Sequence, residues 1–464
     1  MKLQCMNEYD LGVNPGFVHS AAVRLGDRDA ELFVYSAGDA VDPGEECFRI
    51  RNIQPVHIAL FEKDGRRIWD KELPDGVLPG IWFVPVLPFD MNRDGIDEIY
   101  VLNNTGAPFS FMHRKLERWD ALTGEVTGSW PWPWNTFEER MSLCYRFYLI
   151  GGYAHGEPAL ITCQGTYANM YLQGWNDDHM PRWELTIRKE DIGPRASHVT
   201  PVLDINGDGV DELFWGERIL SVDDGHEIID LAPDYHGHSD VVIPYRNYET
   251  GEWLIFTCRE DDEREGQKRV QVFRPDGSKA WEDVDYGHMH TAWAANMKDG
   301  FGKIIMVMRE RFVPDEYGLE HELDGIFYYD AFTGEKTEVS LPCKGTEVCP
   351  LDIDGDGYHE FYVTEGEYRG CILNRFGEII ARLPGDGKDY IDYTIRIGKI
   401  NRSPGEQLMI CKEKDNTKVY VFGDADAAEG DIMKKRYEMP YLTFMQKLMA
   451  SGYNCAGSQG SCGV

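Results

Sequence analysis

The sequence predicts an all-β chain wound as an eight-bladed β-propeller, with seven blades as the alternative count and a short C-terminal helix. Three observations predict it. An acidic hairpin motif occurs three times, each copy between two strand-like apolar runs. Hairpins around a Gly-containing turn recur along the whole chain, as in FEKDGRRIWD (61–70), RWDALTGEVTGSW (118–130), FRPDGSKAWEDV (273–284), YYDAFTGEKTEV (328–339) and NRFGEIIARL (374–383). Set in register, these pieces define one repeating unit of about four short strands.

The units run over 17–75, 82–130, 141–188, 197–232, 238–286, 288–342, 345–386 and 389–425, with the fourth looking truncated. A single propeller domain over 1–438 follows. MPYLTFMQKLMASG (439–452) has apolar residues at helical spacing, so 439–464 is expected to be a packed helix and a Gly/Ser/Cys-rich tail.

The first motif to be read closely is LDINGDGVDELFWGE (203–217). Asp204, Asn206 and Asp208 stand at positions one, three and five, the Val210 carbonyl at seven and Glu212 at nine. Hard oxygen donors from one tight turn suit calcium, and unpaired carboxylates at such spacing repel. Asp90, Asn92, Asp94, Ile96 and Glu98 repeat the spacing, as do Asp352, Asp354, Asp356, Tyr358 and Glu360. An acidic β-turn without metal is the plain alternative for one copy. Three copies give an expectation of about three calcium sites. The hairpins resemble those of integrin-type propeller repeats, and a strand follows where an EF-hand would continue as helix.

Composition bounds the function. The 464 residues are 42% hydrophobic, ample for a large core, and carry a formal net charge of −33. That charge excludes generic nucleic-acid binding and argues against anionic membranes, leaving a short acidic ligand held by local arginines as the expected partner. No apolar run reaches membrane-spanning length, and MKLQCMNEYDLGV lacks the apolar core of a secretory signal, so the protein is expected in the cytoplasm. The eleven cysteines show no CxxC spacing and read as free thiols, with Cys455–Cys462 the one pair considered.

Propeller topology sorts side chains by face. If the acidic hairpins join the first and second strands of their blades, residues before the first strand and after the second meet at the opposite, axial mouth. Those starts hold His19, Tyr145, Arg146, His198, His238, His288, His290, Tyr390 and Tyr393; the ends hold Gln164, Tyr167, Glu217, Arg218, Arg259, Arg309, Arg311 and Glu365. A single histidine there is usually a satisfied turn residue, but His19, His198, His238 and His288 recur at equivalent places. Trp130, Trp132 and Trp134 of SWPWPWN are either a packed lid or a platform for sugar rings.

TCQGTYANMYLQGW, PRWELT, HVTPVLDINGDGVDELFWGERILSVDDGHEI and GHSDVV, in this order over 155–245, resemble the central region of rhamnogalacturonan lyases of polysaccharide lyase family 11. Gln164-Gly165-Thr166-Tyr167 stands where that family has an arginine-led motif, and His238-Ser239-Asp240 stands for its HGD. A more distant resemblance is to ulvan lyases, propellers that use histidine, tyrosine and arginine at the axial mouth. The resemblance implies an eight-bladed, calcium-dependent lyase that cleaves uronate-containing oligosaccharides by β-elimination.

Such a lyase neutralises the C6 carboxylate, removes the C5 proton and protonates the leaving oxygen. Arg218, Arg259 and Arg309 are the candidates for the first task. His238, His290 and His198 are candidates for the base, and Tyr167 or Tyr245 for the proton donor. Gln164, Asp240, Tyr393 and the three tryptophans complete the expected sugar site. Glycoside hydrolysis is the competing chemistry and requires two carboxyl groups about 5–9.5 Å apart, with Glu217, Asp240, Glu347 and Glu365 available. A calcium-stiffened propeller that only binds carbohydrate or protein is the non-enzymatic alternative.

Overall fold

A computed structural model describes residues 1–41, 52–107, 113–134, 143, 145–260, 267–284, 287–297, 302–310, 323–339, 341–343, 347–385, 387–390, 394–413 and 417–451. Eight antiparallel sheets stand around one axis, which decides the count in favour of eight. Their inner strands are Phe17–Leu25, Val86–Phe89, Phe147–Ala154, Val202–Leu203, Ser239–Arg246, His288–Met297, Val348–Leu351 and Arg396–Gly398, numbered here as blades one to eight. Blade four is not truncated: it has four strands, although its inner strand is only two residues long. Blade six has three strands among the described residues.

The inner strands pack against sheets on both sides, so their alternation is lost: Phe147, Tyr148, Leu149 and Ile150 are all buried. The outer strands lie largely exposed or half-buried, as in Val126–Pro131 and Ile379–Arg382.

The N-terminal residues, to which the repeat count gives no blade, close the ring. Leu3–Asp10 pairs antiparallel with Lys418–Asp424 and supplies the outermost strand of blade eight. After that last strand come two short helices, α1 (Asp431–Tyr437) and α2 (Pro440–Leu448), the first inside the stretch the repeat reading gives to the propeller. Cys455 and Cys462 lie outside the described residues. Among the described residues no helix is long and apolar enough to cross a membrane.

The acidic hairpins join first to second strands, and all three share one register. Glu98 faces Phe89, Glu212 faces Leu203 and Glu360 faces Leu351; in blade eight Gln407 faces Gly398 in the same way. Gly207 and Gly209 sit at φ +80° and +88°, a conformation that only glycine adopts without strain.

The residue before each of these positions clasps the preceding blade. The N–H groups of Asp97, Asp211, His359 and Glu406 donate to the carbonyls of Arg24, Tyr153, Asn296 and Asp352 at 2.7–2.9 Å. In return their side chains accept the N–H of those same four residues, at 2.7, 2.7, 2.9 and 2.7 Å. Each clasp ties two sheets that share no strand, and each hydrogen bond is worth about 1 kcal/mol net.

Asp97 is almost fully buried and also takes the Lys447 ammonium from α2. Asp97→Ala leaves both donors without their acceptor and is expected to lower stability by about 1–3 kcal/mol, read as a fall in the urea midpoint at unchanged slope.

Candidate active site at the axial mouth

A histidine stands immediately before the inner strand of blade five (His238) and opens that of blade six (His288), and each is followed two residues later by a bulge. In blade five Ser239 faces Arg259 and Val241 faces Cys258, which leaves Asp240 as the extra residue; in blade six Met289 faces Arg309 and Thr291 faces Met308, which leaves His290. A bulge of this kind turns one side chain out of the ladder. It delivers Asp240 to the neighbourhood of His238, and His290 holds the equivalent backbone place, its side chain lying outside the described residues.

Blades three and four add the remaining groups. His198 lies in the loop before Val202–Leu203, and Tyr167 follows the second strand of blade three, Glu157–Gln164. The Tyr167 hydroxyl is 2.8 Å from His198 Nε2. Asp240 Oδ1 lies 4.0 Å from His198 Nδ1 and 3.3 Å from His238 Nε2. The two imidazoles are 4.6 Å apart by ring centroid, and the Tyr167 ring is 4.5 Å from His238.

Carboxylate, imidazole and phenol are therefore arranged in series, with His198 in the middle. Asp240, His238 and His198 are buried, whereas Tyr167 is half-buried and forms the reachable end. Arg146, just before the inner strand of blade three, is sandwiched: its guanidinium carbon is 4.7 Å from the Tyr167 ring centroid and 4.6 Å from that of Trp82. Sequence reasoning placed Arg146 at this mouth but gave it no role, because stacking partners from two other segments leave no local signal.

Below the cluster lies a buried ion pair between blades four and five. Arg259 meets Glu217 with two bonds, Nε to Oε1 at 3.0 Å and Nη2 to Oε2 at 2.7 Å. Ser239 Oγ and Thr257 Oγ1 donate to the same carboxylate at 2.6 and 2.9 Å. Burial alone would raise the Glu217 carboxyl; Arg259 and the two hydroxyls bring it below its ordinary value. Arg259 also stacks on Tyr235, whose hydroxyl donates to the His238 carbonyl at 2.6 Å. The pair thus holds the backbone that presents His238.

The structure does not bring all expected residues together. Arg218 sits on the third strand of blade four, bonded to the carbonyls of Ile192 and Pro194 and to Glu227. Arg309 holds in blade six the place that Arg259 holds in blade five, over the Phe327 ring. Tyr245 is at the far end of its strand from Asp240, and its hydroxyl donates to the Ala331 carbonyl. Trp132 is buried, its indole N–H donating to Gln164 Oε1 at 2.9 Å; Trp130 stacks on His179 and Trp134 lies against Tyr171, which is the packed arrangement. Tyr393 lies outside the described residues.

Two kinds of donor set in this chain fit a cation. Ligand atoms of buried His198, His238 and Asp240 lie within 4.8 Å of one another, and His238 has no hydrogen-bond partner for either ring nitrogen among the described residues. Two imidazoles and one carboxylate suit a borderline divalent ion such as zinc. On the opposite face Asp204, Asp208 and Glu212 converge similarly, as do Asp352, Asp354 and Asp356. These sets are all oxygen and suit calcium. In the first and second hairpins alike the carboxylates also accept local N–H groups, Asp90 from Gly95 and Glu98 from Met91, both at 2.9 Å, and Asp204 from Gly209 and Glu212 from Ile205, at 2.9 and 2.8 Å.

No family model matches the chain, and no curated protein matches it in sequence. In three dimensions it is similar to the exotype rhamnogalacturonan lyase YesX, with a TM-score of 0.75 at 16% identity over 98% of this chain and 80% of that one. The rhamnogalacturonan lyase YesW gives 0.72 at 15% identity, over 96% and 77%. The Bacillus licheniformis rhamnogalacturonan lyase PL11 gives 0.74 at 16%, over 98% and 80%. The shared feature is the fold. It runs through nearly the whole chain.

Removing one partner of the Glu217–Arg259 pair strands a buried charge. Arg259→Ala is expected to lower stability by about 3–5 kcal/mol, and Glu217→Gln with Arg259→Met to recover most of it, both read by chemical unfolding. Because the Glu217 carboxyl is lowered, its contribution is full above the ordinary carboxylate range and is lost as pH falls through the lowered value.

Proposed function

We propose that the axial mouth cleaves short uronate-containing oligosaccharides of rhamnogalacturonan type by β-elimination. The observation that carries this reading is the Asp240–His198–Tyr167 series beside a stacked guanidinium. Elimination takes the proton on C5, forms the C4–C5 double bond and expels the C4 oxygen, which must gain a proton. Tyr167, the reachable end of the series, meets the sugar. Its hydroxyl passes its proton to His198 Nε2, 2.8 Å away, the phenolate takes the C5 proton, and the re-formed phenol gives that proton to the leaving C4 oxygen before His198 returns its own. Asp240 favours the charged form of His198 during that exchange.

The C6 carboxylate needs positive charge before C5 becomes acidic enough to lose its proton. Arg146 is the stacked cation nearest the phenol; a divalent ion held by His198, His238 and Asp240 would supply Lewis acidity in its place only with His198 as a neutral ligand, which then no longer takes the phenol's proton. Arg259 is engaged by Glu217, so its part is to position His238. Calcium in the hairpins of the opposite face would stiffen the scaffold and lower its negative charge. Action in the cytoplasm, on short imported oligosaccharides, is part of this proposal.

Mixing the protein with a panel of pectic and ulvan oligosaccharides is expected to raise absorbance in the unsaturated-uronate band. Tyr167→Phe is expected to lower kcat about 100-fold or more with little change in KM. New reducing ends without the absorbance rise would establish hydrolysis instead, and binding without turnover would establish a carbohydrate-binding propeller.

A further inference from the structure

The third acidic hairpin differs from the second in what covers it. Over Asp204–Glu212 a Cβ on Gly207 would meet no atom within 4 Å, and one on Gly209, the counterpart of Gly357, would meet only the His155 ring, at 3.2 Å. Over Asp352–Glu360 the chain leading into α1 lies directly on the loop. Ala428 N–H donates to the Asp354 carbonyl at 2.9 Å and Gly430 N–H to the Gly355 carbonyl at 2.7 Å. A Cβ on Gly357 would stand 2.4 Å from Ile432.

That contact brings a cation. Arg436 of α1 is buried with Nη1 3.4 Å from Asp352 Oδ2 and Nη2 3.0 Å from Glu406 Oε1. Glu406 in turn accepts the Asp352 N–H at 2.7 Å and the Tyr437 hydroxyl at 2.7 Å. Asp352 is the residue at position one, the first ligand expected of a calcium hairpin. The corresponding hairpin of blade eight, also beside α1, carries a cation in its own sequence: Lys399 occupies position one and pairs with Glu429.

We propose that Arg436 is the resident cation of the third hairpin, a guanidinium carried by α1 where a divalent ion was expected, so that Asp352–Glu360 fastens the C-terminal helices to the propeller. The proposal rests on the calcium reading of the hairpins given above and divides them by occupant. Asp204–Glu212, with its open tip, takes calcium. In the third hairpin Asp352, Asp354 and Asp356 also gather, but Asp352, the residue at position one, already meets a charge that belongs to the protein. A fixed guanidinium bonded to two carboxylates is directional and removes the need for metal at that point.

Calcium binding to the metal-stripped full chain, counted by native mass spectrometry and measured by calorimetry, tests this. Asp208→Asn is expected to remove one bound ion, whereas Asp354→Asn leaves the wild-type count and affinities unchanged. Arg436→Gln is expected to gain one ion, lost again in Arg436→Gln with Asp354→Asn. Loss of an ion on Asp354→Asn alone overturns the proposal even if Arg436→Gln fails to fold. If Asp208→Asn removes no ion, the calcium reading of the second hairpin fails; a gain on Arg436→Gln then still supports Arg436 as resident cation, and no gain overturns it.

Discussion

Closing the ring is the constraint on which the rest of this structure depends. A propeller blade buries both faces only when it has a neighbour on each side, so the first and last blades must meet. Here the chain ends do this together: Leu3–Asp10 completes blade eight, and the Lys2 N–H donates to Asp424 at 2.7 Å beyond the last ladder pair. Deeper at the same junction, buried Arg396 of blade eight bonds Glu31 of blade one, whose carboxylate also takes the Lys63 ammonium at 2.7 Å. A buried ion pair is a weak source of net stability but a strong selector of geometry. Its cost is tolerable because it fixes which blade follows the eighth.

Once the ring is closed, chain direction alone divides the chemistry between two faces. Every inner strand begins at one mouth, so residues far apart in sequence meet there: Arg146, Tyr167, His198 and His238 are drawn from three blades. Every first hairpin turns at the other face, where the clasps by Asp97, Asp211, His359 and Glu406 hold neighbouring sheets in step. An active site assembled from several blades tolerates little slippage between them. The clasps, the Glu217–Arg259 pair and the C-terminal helices thus maintain mouth geometry without touching it.

Much of this was legible in the sequence because propeller repeats are local. The hairpin motif, its register and the eight units come from spacings of a few residues, and they put His198, His238 and Asp240 at one mouth. What sequence reasoning missed depends on distant partners. Nothing in LQCMNEYD announces that its partner strand begins at Lys418. Asp211 reads as one more acidic residue of the turn, although it faces the neighbouring blade while Asp204 and Asp208 face the loop. Arg218 and Arg259 look alike after their strands, yet Arg218 stands on the third strand of its blade and Arg259 at the end of a second strand, so only one reaches Glu217. Arg436 is a helical arginine with no local hint of the aspartate it meets 84 residues away.

With a formal net charge of −33, the chain repels acidic sugars everywhere except where cations are stacked or bound. The central claim is that such a place is the mouth around Tyr167 and His198. A crystal structure of the Tyr167→Phe variant soaked with a uronate oligosaccharide tests it most directly. The account predicts sugar in the mouth, with C5 directed at residue 167 and His198 and the carboxylate toward Arg146. Sugar seated only on the hairpin face, or in the mouth with C5 turned away from both groups, would contradict it.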